Sequence, residues 1–177
     1  MSKTYAQSIS WLIDIFKKYD RGLLTERQEK ILSDMLDYWV LGREEIIIKK
    51  LLTKYREEEV FNLLKHILHT STEIKWKQIG EKGNSLQDIL NLLWIPLKEE
   101  GFEFTYKLTR KTLKMKCTKC PHVEEAKKRN VQDLYKFFFC GLDEPMVKGF
   151  NQKIKFTRTK CLMDGDSYCN HKYELKE

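Results

Sequence analysis

The chain has 177 residues, 41% hydrophobic and 33% charged side chains, and a formal net charge of +7. That length suits one domain, or one domain with a helical extension, able to bury about two thirds of its unfolded surface. The composition excludes a disordered chain, and no stretch approaches the ~20 apolar residues of a membrane span.

Residues 4–19 carry Tyr5, Ile9, Leu12, Ile13 and Phe16 at helical spacing, which predicts an amphipathic helix. Asp14 interrupts its apolar run and no small-residue cleavage site follows, so no signal peptide is expected and the chain reads as cytoplasmic. Asp20-Arg21-Gly22 ends this helix. Thr25-Glu26-Arg27-Gln28 has the form of a capping box and opens a second, with Ile31, Met35, Tyr38 and Trp39, which Gly42 stops. A third covers 43–55. The fourth has the clearest stripe: Val60, Leu63, Leu64, Ile67 and Leu68, running on toward Trp76, Ile79 and Gly80. Ser85 or Asn84 caps a fifth, with Leu86, Ile89, Leu90, Leu93, Trp94 and Leu97 inward, and Pro96 predicts a kink or early stop. The four tryptophans fall at core spacing, with a hydrophobic ligand pocket as the alternative.

After Gly101 the period changes to two. Phe102–Leu108 and Thr112–Cys117 alternate as antiparallel strands. A helix is expected from about Val123 to Phe139, then a loop from Gly141 to Phe150. Lys153–Tyr173 reads as a hairpin about Asp164-Gly165-Asp166. A three-residue loop would set Cys161 directly opposite Cys169; a two-residue loop would not. The expected fold class is α+β: a helical N-terminal half packed on a four-stranded antiparallel sheet, with a β-β-α-β-β C-terminal half.

All of the excess positive charge lies in residues 101–177, because residues 1–100 are balanced. It would attract an anionic ligand such as a carboxylate, or form a solvated lysine face. No phosphate loop or nucleic-acid motif accompanies it, so no nucleic-acid partner is expected.

The five cysteines, Cys117, Cys120, Cys140, Cys161 and Cys169, also lie in this half. Cys117-Thr118-Lys119-Cys120 is a two-thiolate knuckle suited to zinc or another soft metal, with Cys161 and Cys169 as further ligands. Ordinary buried thiols are a second reading, and a reactive thiol is a third. Cys120 stands just before a helix start, where the helix dipole favours a thiolate, with His122 beside it. Asp143 and Asp166 are loop acids able to act as base or to orient a thiol, and Asp166 also reads as a turn residue. His66 and His69, at i and i+3, lack a third ligand and read as boundary residues.

Cys120-Pro121, Cys140 with Asp143, Gly149-Phe150-Asn151, and Gly165-Asp166 with Cys169 together resemble the L-2-amino-thiazoline-4-carboxylic acid hydrolase family. So does Asn84-Ser85-Leu86…Trp94 before Gly101-Phe102-Glu103. The resemblance covers roughly residues 43–175, making 1–42 an N-terminal extension and 43–177 the family domain. Cys161 and His171 stand where the family pattern usually carries Thr and Phe. The segment Cys161–Cys169 also resembles the 4-vinyl-reductase domain, whose fold is similar to haem-based nitric-oxide sensors and to vesicle-tethering subunits. The resemblance implies a pocket between helices and sheet, and a possible cysteine-bound metal. It implies hydrolysis of a C–N bond in a small, carboxylate-bearing substrate, with Cys120, Cys140 and Cys169 supplying a thiolate or a metal-activated water and Asp143 the base. The alternative is a non-catalytic small-ligand-binding or sensing module.

Overall fold

The computed structural model describes residues 13–18, 22–38 and 43–176. The chain divides into two compact units, Met1–Thr72 and Glu73–Glu177.

In the first unit, residues 13–18 are helical, with Ile13 and Phe16 fully buried. The rest of the helix expected at 4–19, and Trp11, Trp39 and Gly42, lie outside the described residues. Helix α1 (Glu26–Asp37) opens on the expected capping box: Gln28 N–H donates to Thr25 Oγ1, and Thr25 N–H donates to Gln28 Oε1 at 2.9 Å. Helix α2 (Glu44–Leu52) buries Ile47, Ile48 and Leu51, and α3 (Glu57–Gly80) buries the whole Val60–Leu68 stripe. Tyr55 O–H donates to Asp34 at 2.9 Å, fixing the turn after α2 against α1.

The second unit begins with the last two turns of α3. Ser85 caps α4 (Leu86–Ile89) through Asp88. The backbone then widens into one π-helical turn, Leu90–Trp94, before α5 (Ile95–Glu99). The cause is Pro96, which has no N–H to donate and whose ring crowds the carbonyl four residues back; a widened turn relieves both problems. The segment therefore continues, and Trp94 is kept on the buried side.

Strands β1 (Glu103–Leu108), β2 (Thr112–Lys119), β3 (Ile154–Arg158) and β4 (Cys169–Leu175) form an antiparallel sheet in the order β1-β2-β4-β3. Alternation sends Leu113, Met115 and Cys117 of β2, and Cys169, His171 and Tyr173 of β4, to one buried face. Helical segments 86–99 and 121–150, with Ile154 of β3 and Cys161 and Met163 of the connection after it, contribute the other buried side chains of this core. The α+β class holds.

Three local expectations change. The helix expected at 123–139 is two, α6 (Pro121–Arg129) and α7 (Gln132–Phe138). They are split at Asn130, which is left-handed at φ 55°, a conformation Asn tolerates better than most residues. The expected loop at 141–150 is helical: a 3₁₀ turn, Cys140–Leu142, then α8 (Asp143–Phe150). Pro145 lies in its first turn, where its missing N–H costs nothing, and Asp143 and Glu144 suit the positive helix end. Gly149 is there for packing, since a Cβ would meet the Glu73 backbone at 2.3 Å. Finally, the last hairpin is not tight. Its ladder ends at Arg158↔His171, and residues 159–168 form a long connection. Cys161 therefore does not face Cys169 across a ladder; the ladder partner of Cys169 is Cys117.

Candidate functional site

The long connection is held in shape by two polar side chains. Asn170 accepts the N–H groups of Thr159 at 2.9 Å and Lys160 at 2.6 Å. Asp166 accepts the N–H of Cys161 at 2.7 Å, so it serves as a turn residue. Lys136 of α7 closes on Asp164 at 2.6 Å. This frame turns Cys161 inward, where it is 4% exposed.

Three sulfurs meet there. Cys161 Sγ lies 3.9 Å from Cys140 Sγ, which the 3₁₀ turn brings in from above the sheet. Cys169 reaches Cys161 from β4 and accepts the Leu162 N–H at 3.1 Å. Hydrogen bonds from Cys140 and then Cys169 pull the Cys161 thiol far below its ordinary range, helped by a Met163 backbone bond and the Arg158 charge. Its partners move the other way. Cys140 and Cys169 are pushed up first by holding their protons toward Cys161, and then by burial. Within the cluster, a thiolate is favoured at Cys161 and disfavoured at its two partners.

Beside the sulfurs stands a charged row. Arg158 and His171 are ladder partners on the buried face. Arg158 Nη1 donates to Asp143 Oδ2 at the start of α8, and Nη2 donates to the Cys140 carbonyl at 3.2 Å. His171 Nε2 lies 3.5 Å from the same Asp143 oxygen. The ring is flanked edge-on by Trp94 at 4.9 Å and, at a tilt, by Phe156 at 5.9 Å between ring centroids. His171 Nδ1 is buried with no hydrogen-bond partner. With Nε2 facing a carboxylate, the tautomer protonated on Nε2 suits the pair and presents Nδ1 as an acceptor. Behind this row, Trp94 Nε1 donates to the fully buried Tyr173 hydroxyl at 3.1 Å, and burial raises that phenol.

The two cysteines of the C-x-x-C have other surroundings. Cys117 Sγ donates to the Lys119 carbonyl at 3.1 Å, and burial pushes its thiol up to about 12. Cys120 is the N-cap residue of α6, as expected. Burial raises its pKa; the Val123 and His122 N–H groups oppose this without overcoming it. His122 is stacked on Phe139 at 4.0 Å, and burial keeps its imidazole low.

Cys140, Asp143, Cys161 and Cys169 therefore come together, with Cys120 close enough for the charges of Cys161 and Asp143 to act on it. Among the described residues, no group of three or more His, Cys, Asp or Glu side chains is arranged to hold a metal ion. The expected zinc-like site, with Cys117, Cys120, Cys161 and Cys169 as ligands, gains no support from this geometry, and no chemical step is drawn through a metal. A depression lined by Phe16, Leu24, Leu32 and Leu36 lies wholly in the first unit, which carries none of the five cysteines.

Sequence reasoning missed Arg158 and noted His171 only as a departure from the family pattern. Alternation in Lys153–Arg158 and Cys169–Tyr173 could have found both, since it assigns an Arg and a His to the face that must be buried.

A family model described as L-2-amino-thiazoline-4-carboxylic acid hydrolase matches residues 6–173. No curated protein matches the chain significantly. Among solved structures, the chain is similar to an Fe(II) unliganded H-NOX protein from K. algicida, with 13% identity, TM-score 0.47, and 97% of this chain and 96% of that one covered. It is also similar to an H-NOX domain from Shewanella oneidensis, with 13% identity, TM-score 0.40, and 83% and 98% covered. A trafficking protein particle complex subunit 3 from Naegleria fowleri, covalently bound to palmitic acid, shares 14% identity at TM-score 0.37, with 82% and 96% covered. No described helix is long and apolar enough to cross a membrane.

Proposed function

Because the chain belongs to the L-2-amino-thiazoline-4-carboxylic acid hydrolase family, we propose that it hydrolyses a C–N bond of a small cyclic amidine that bears a carboxylate. One observation carries the reading: the clustered sulfur of Cys161 lies beside Asp143 and His171, with Arg158 joining the two.

In such a substrate the reacting carbon is bonded to two nitrogens and is electron-poor. The Cys161 thiolate attacks it, forming a C–S bond; the ring nitrogen takes a proton from solvent, the ring C–N bond breaks, and the nitrogen departs as an amine that stays tethered to the opened substrate. Arg158 supplies fixed positive charge as negative charge leaves the sulfur. His171 Nδ1 takes a proton from water, Asp143 stabilises the imidazolium at Nε2, and the resulting hydroxide attacks the same carbon. Collapse breaks the C–S bond and returns the thiolate. Cys140 and Cys169 position the nucleophile by donating to it, and Cys120 borders the cluster. Lysines of the basic second unit provide attraction for the substrate carboxylate.

The test is turnover of L-2-amino-thiazoline-4-carboxylic acid by the full chain, followed as release of a ring-opened product carrying a free primary amine. Cys161→Ser and His171→Phe should each lower kcat by at least about 10²-fold, the scale of lost nucleophilic or general-base catalysis. Full turnover in both variants, each folded by circular dichroism, would remove this mechanism.

A further inference from the structure

We propose that Cys140 and Cys161 form a reversible intramolecular disulfide on exposure to hydrogen peroxide, a modification that takes the sulfur cluster out of its reactive state. Three observations support it.

The first is distance. The two sulfurs are 3.9 Å apart, and a disulfide requires about 2.05 Å. The gap to be closed is thus about 2 Å, within reach of side-chain rotation and a small backbone shift.

The second is where the residues sit. Cys140 begins a 3₁₀ turn between two helices, and Cys161 lies in the connection 159–168, outside the sheet ladder. Both stand outside the sheet ladder, so closing the two sulfurs breaks no strand pair. Cys169 does not: it is on β4, laddered to Cys117, and its sulfur accepts the Leu162 N–H. Cys117 is turned back onto the Lys119 carbonyl. Of the sulfurs around Cys161, Cys140 is therefore the one free to close.

The third is charge. The Arg158 guanidinium acts on both Cys140 and Cys161 from one side, so an anionic sulfur at either end of the pair is accommodated during exchange.

The chemistry balances with peroxide as the oxidant. The Cys161 sulfur, as thiolate, attacks one peroxide oxygen; an S–O bond forms and the O–O bond breaks. The departing hydroxide takes up a proton and leaves as water. Cys140 gives up its proton and attacks the sulfenic sulfur. The S–S bond forms, the S–O bond breaks, and a second water leaves. A dithiol reductant reverses the change.

The effect on turnover rests on the hydrolase reading above; the disulfide itself does not. The experiment treats the reduced full chain with equimolar hydrogen peroxide, blocks remaining thiols with N-ethylmaleimide, and measures intact mass. Three alkylated thiols of the original five are expected, with the chain still monomeric by non-reducing electrophoresis, and dithiothreitol should restore all five. Trypsin leaves Cys161 and Cys169 in one peptide, so a second cleavage at Asp164 or Asp166 assigns the bond. Cys169→Ser should keep the cross-link. Cys140→Ser should lose it and leave a dimedone-reactive sulfenic acid on Cys161. Five alkylated thiols after oxidation, or a cross-link from Cys161 to Cys169, would overturn the proposal. If the reduced chain shows no hydrolase turnover yet forms the Cys140–Cys161 bond, the hydrolase reading fails and the disulfide stands.

Discussion

Arg158 of β3 reaches Asp143 at the head of α8 and, with its second amino group, the carbonyl of Cys140. One side chain thus joins the sheet to the turn that delivers a sulfur. Their side chains are 15% and 22% exposed, so the pair is largely but not wholly withdrawn from water. Breaking a fully buried pair costs roughly 3–5 kcal/mol, and here the lower end is expected. Arg158→Ala should lower unfolding free energy by about 3 kcal/mol, measured in urea. Arg158→Lys should recover only part, because an ammonium cannot hold both acceptors in a planar fork.

A thiolate centred on Cys161 should be visible directly. At neutral pH the native chain should show one equivalent of ultraviolet thiolate absorbance. Unperturbed thiols, with pKa values of about 8.5, would show almost none. The signal should vanish in Cys161→Ser and persist well below pH 7, since the hydrogen bonds from Cys140 and Cys169 lower this group. A signal unchanged in Cys161→Ser would assign the charge elsewhere.

Stability should fall at both ends of the pH range, for opposite reasons. His122 is held neutral by burial, so its folded pKa lies below the unfolded value of 6.5. Its contribution is present above 6.5 and is lost as pH falls toward the folded value. Cys117 is raised from 9.0 to about 12. Its contribution is whole below 9.0 and is lost as pH rises toward 12. Thermal midpoints should trace this profile, and Cys117→Ala should flatten the alkaline limb.

Gly149 and Gly141 make a controlled pair. A methyl at Gly149 would meet backbone atoms of Glu73 between 2.3 and 2.8 Å, whereas at Gly141 it meets only the Lys136 carbonyl at 3.5 Å. Alanine in a helix gains up to ~1 kcal/mol over glycine, but overpacking against backbone costs roughly 1–3 kcal/mol. Gly149→Ala should therefore destabilise, while Gly141→Ala should be nearly neutral. Equal urea midpoints for the two would contradict the close approach of α3 and α8.

Tyr173→Phe deletes an acceptor and leaves Trp94 Nε1 buried and unpaired. An orphaned buried donor costs about 1–3 kcal/mol. Trp94 also borders the His171 ring, so near-ultraviolet circular dichroism should change with the loss of stability.

Much of this architecture could be read from residue order. The Val60–Leu68 stripe, the capping box at Thr25, a cap at Ser85 or Asn84, and the alternation in β1 and β2 each follow a local rule, and local rules survive folding. What failed was also local in origin. Gly141, Pro145 and Gly149 look like loop punctuation, yet one packs against backbone and another exploits the first helical turn. Asn130 offers no helix-breaking composition, only tolerance of a left-handed backbone. The sulfur cluster was half legible: the cysteines could be named, but their meeting depends on a ten-residue connection whose shape is set by Asn170 and Asp166. Arg158 stayed hidden because a basic residue in a lysine-rich segment reads as surface until the strand's face is known.

The widened turn at Leu90–Trp94 has a consequence for how the chain tolerates indels. Such a turn holds one residue more than the regular spiral needs. Removing exposed Leu92 would let the coil tighten by that residue and leave the stretches on either side in phase, at the cost of restoring the crowding by the Pro96 ring. The same deletion within the Val60–Leu68 stripe would swing every later side chain by about 100°. A shortened variant that still folds would mark this turn as the chain's built-in slack.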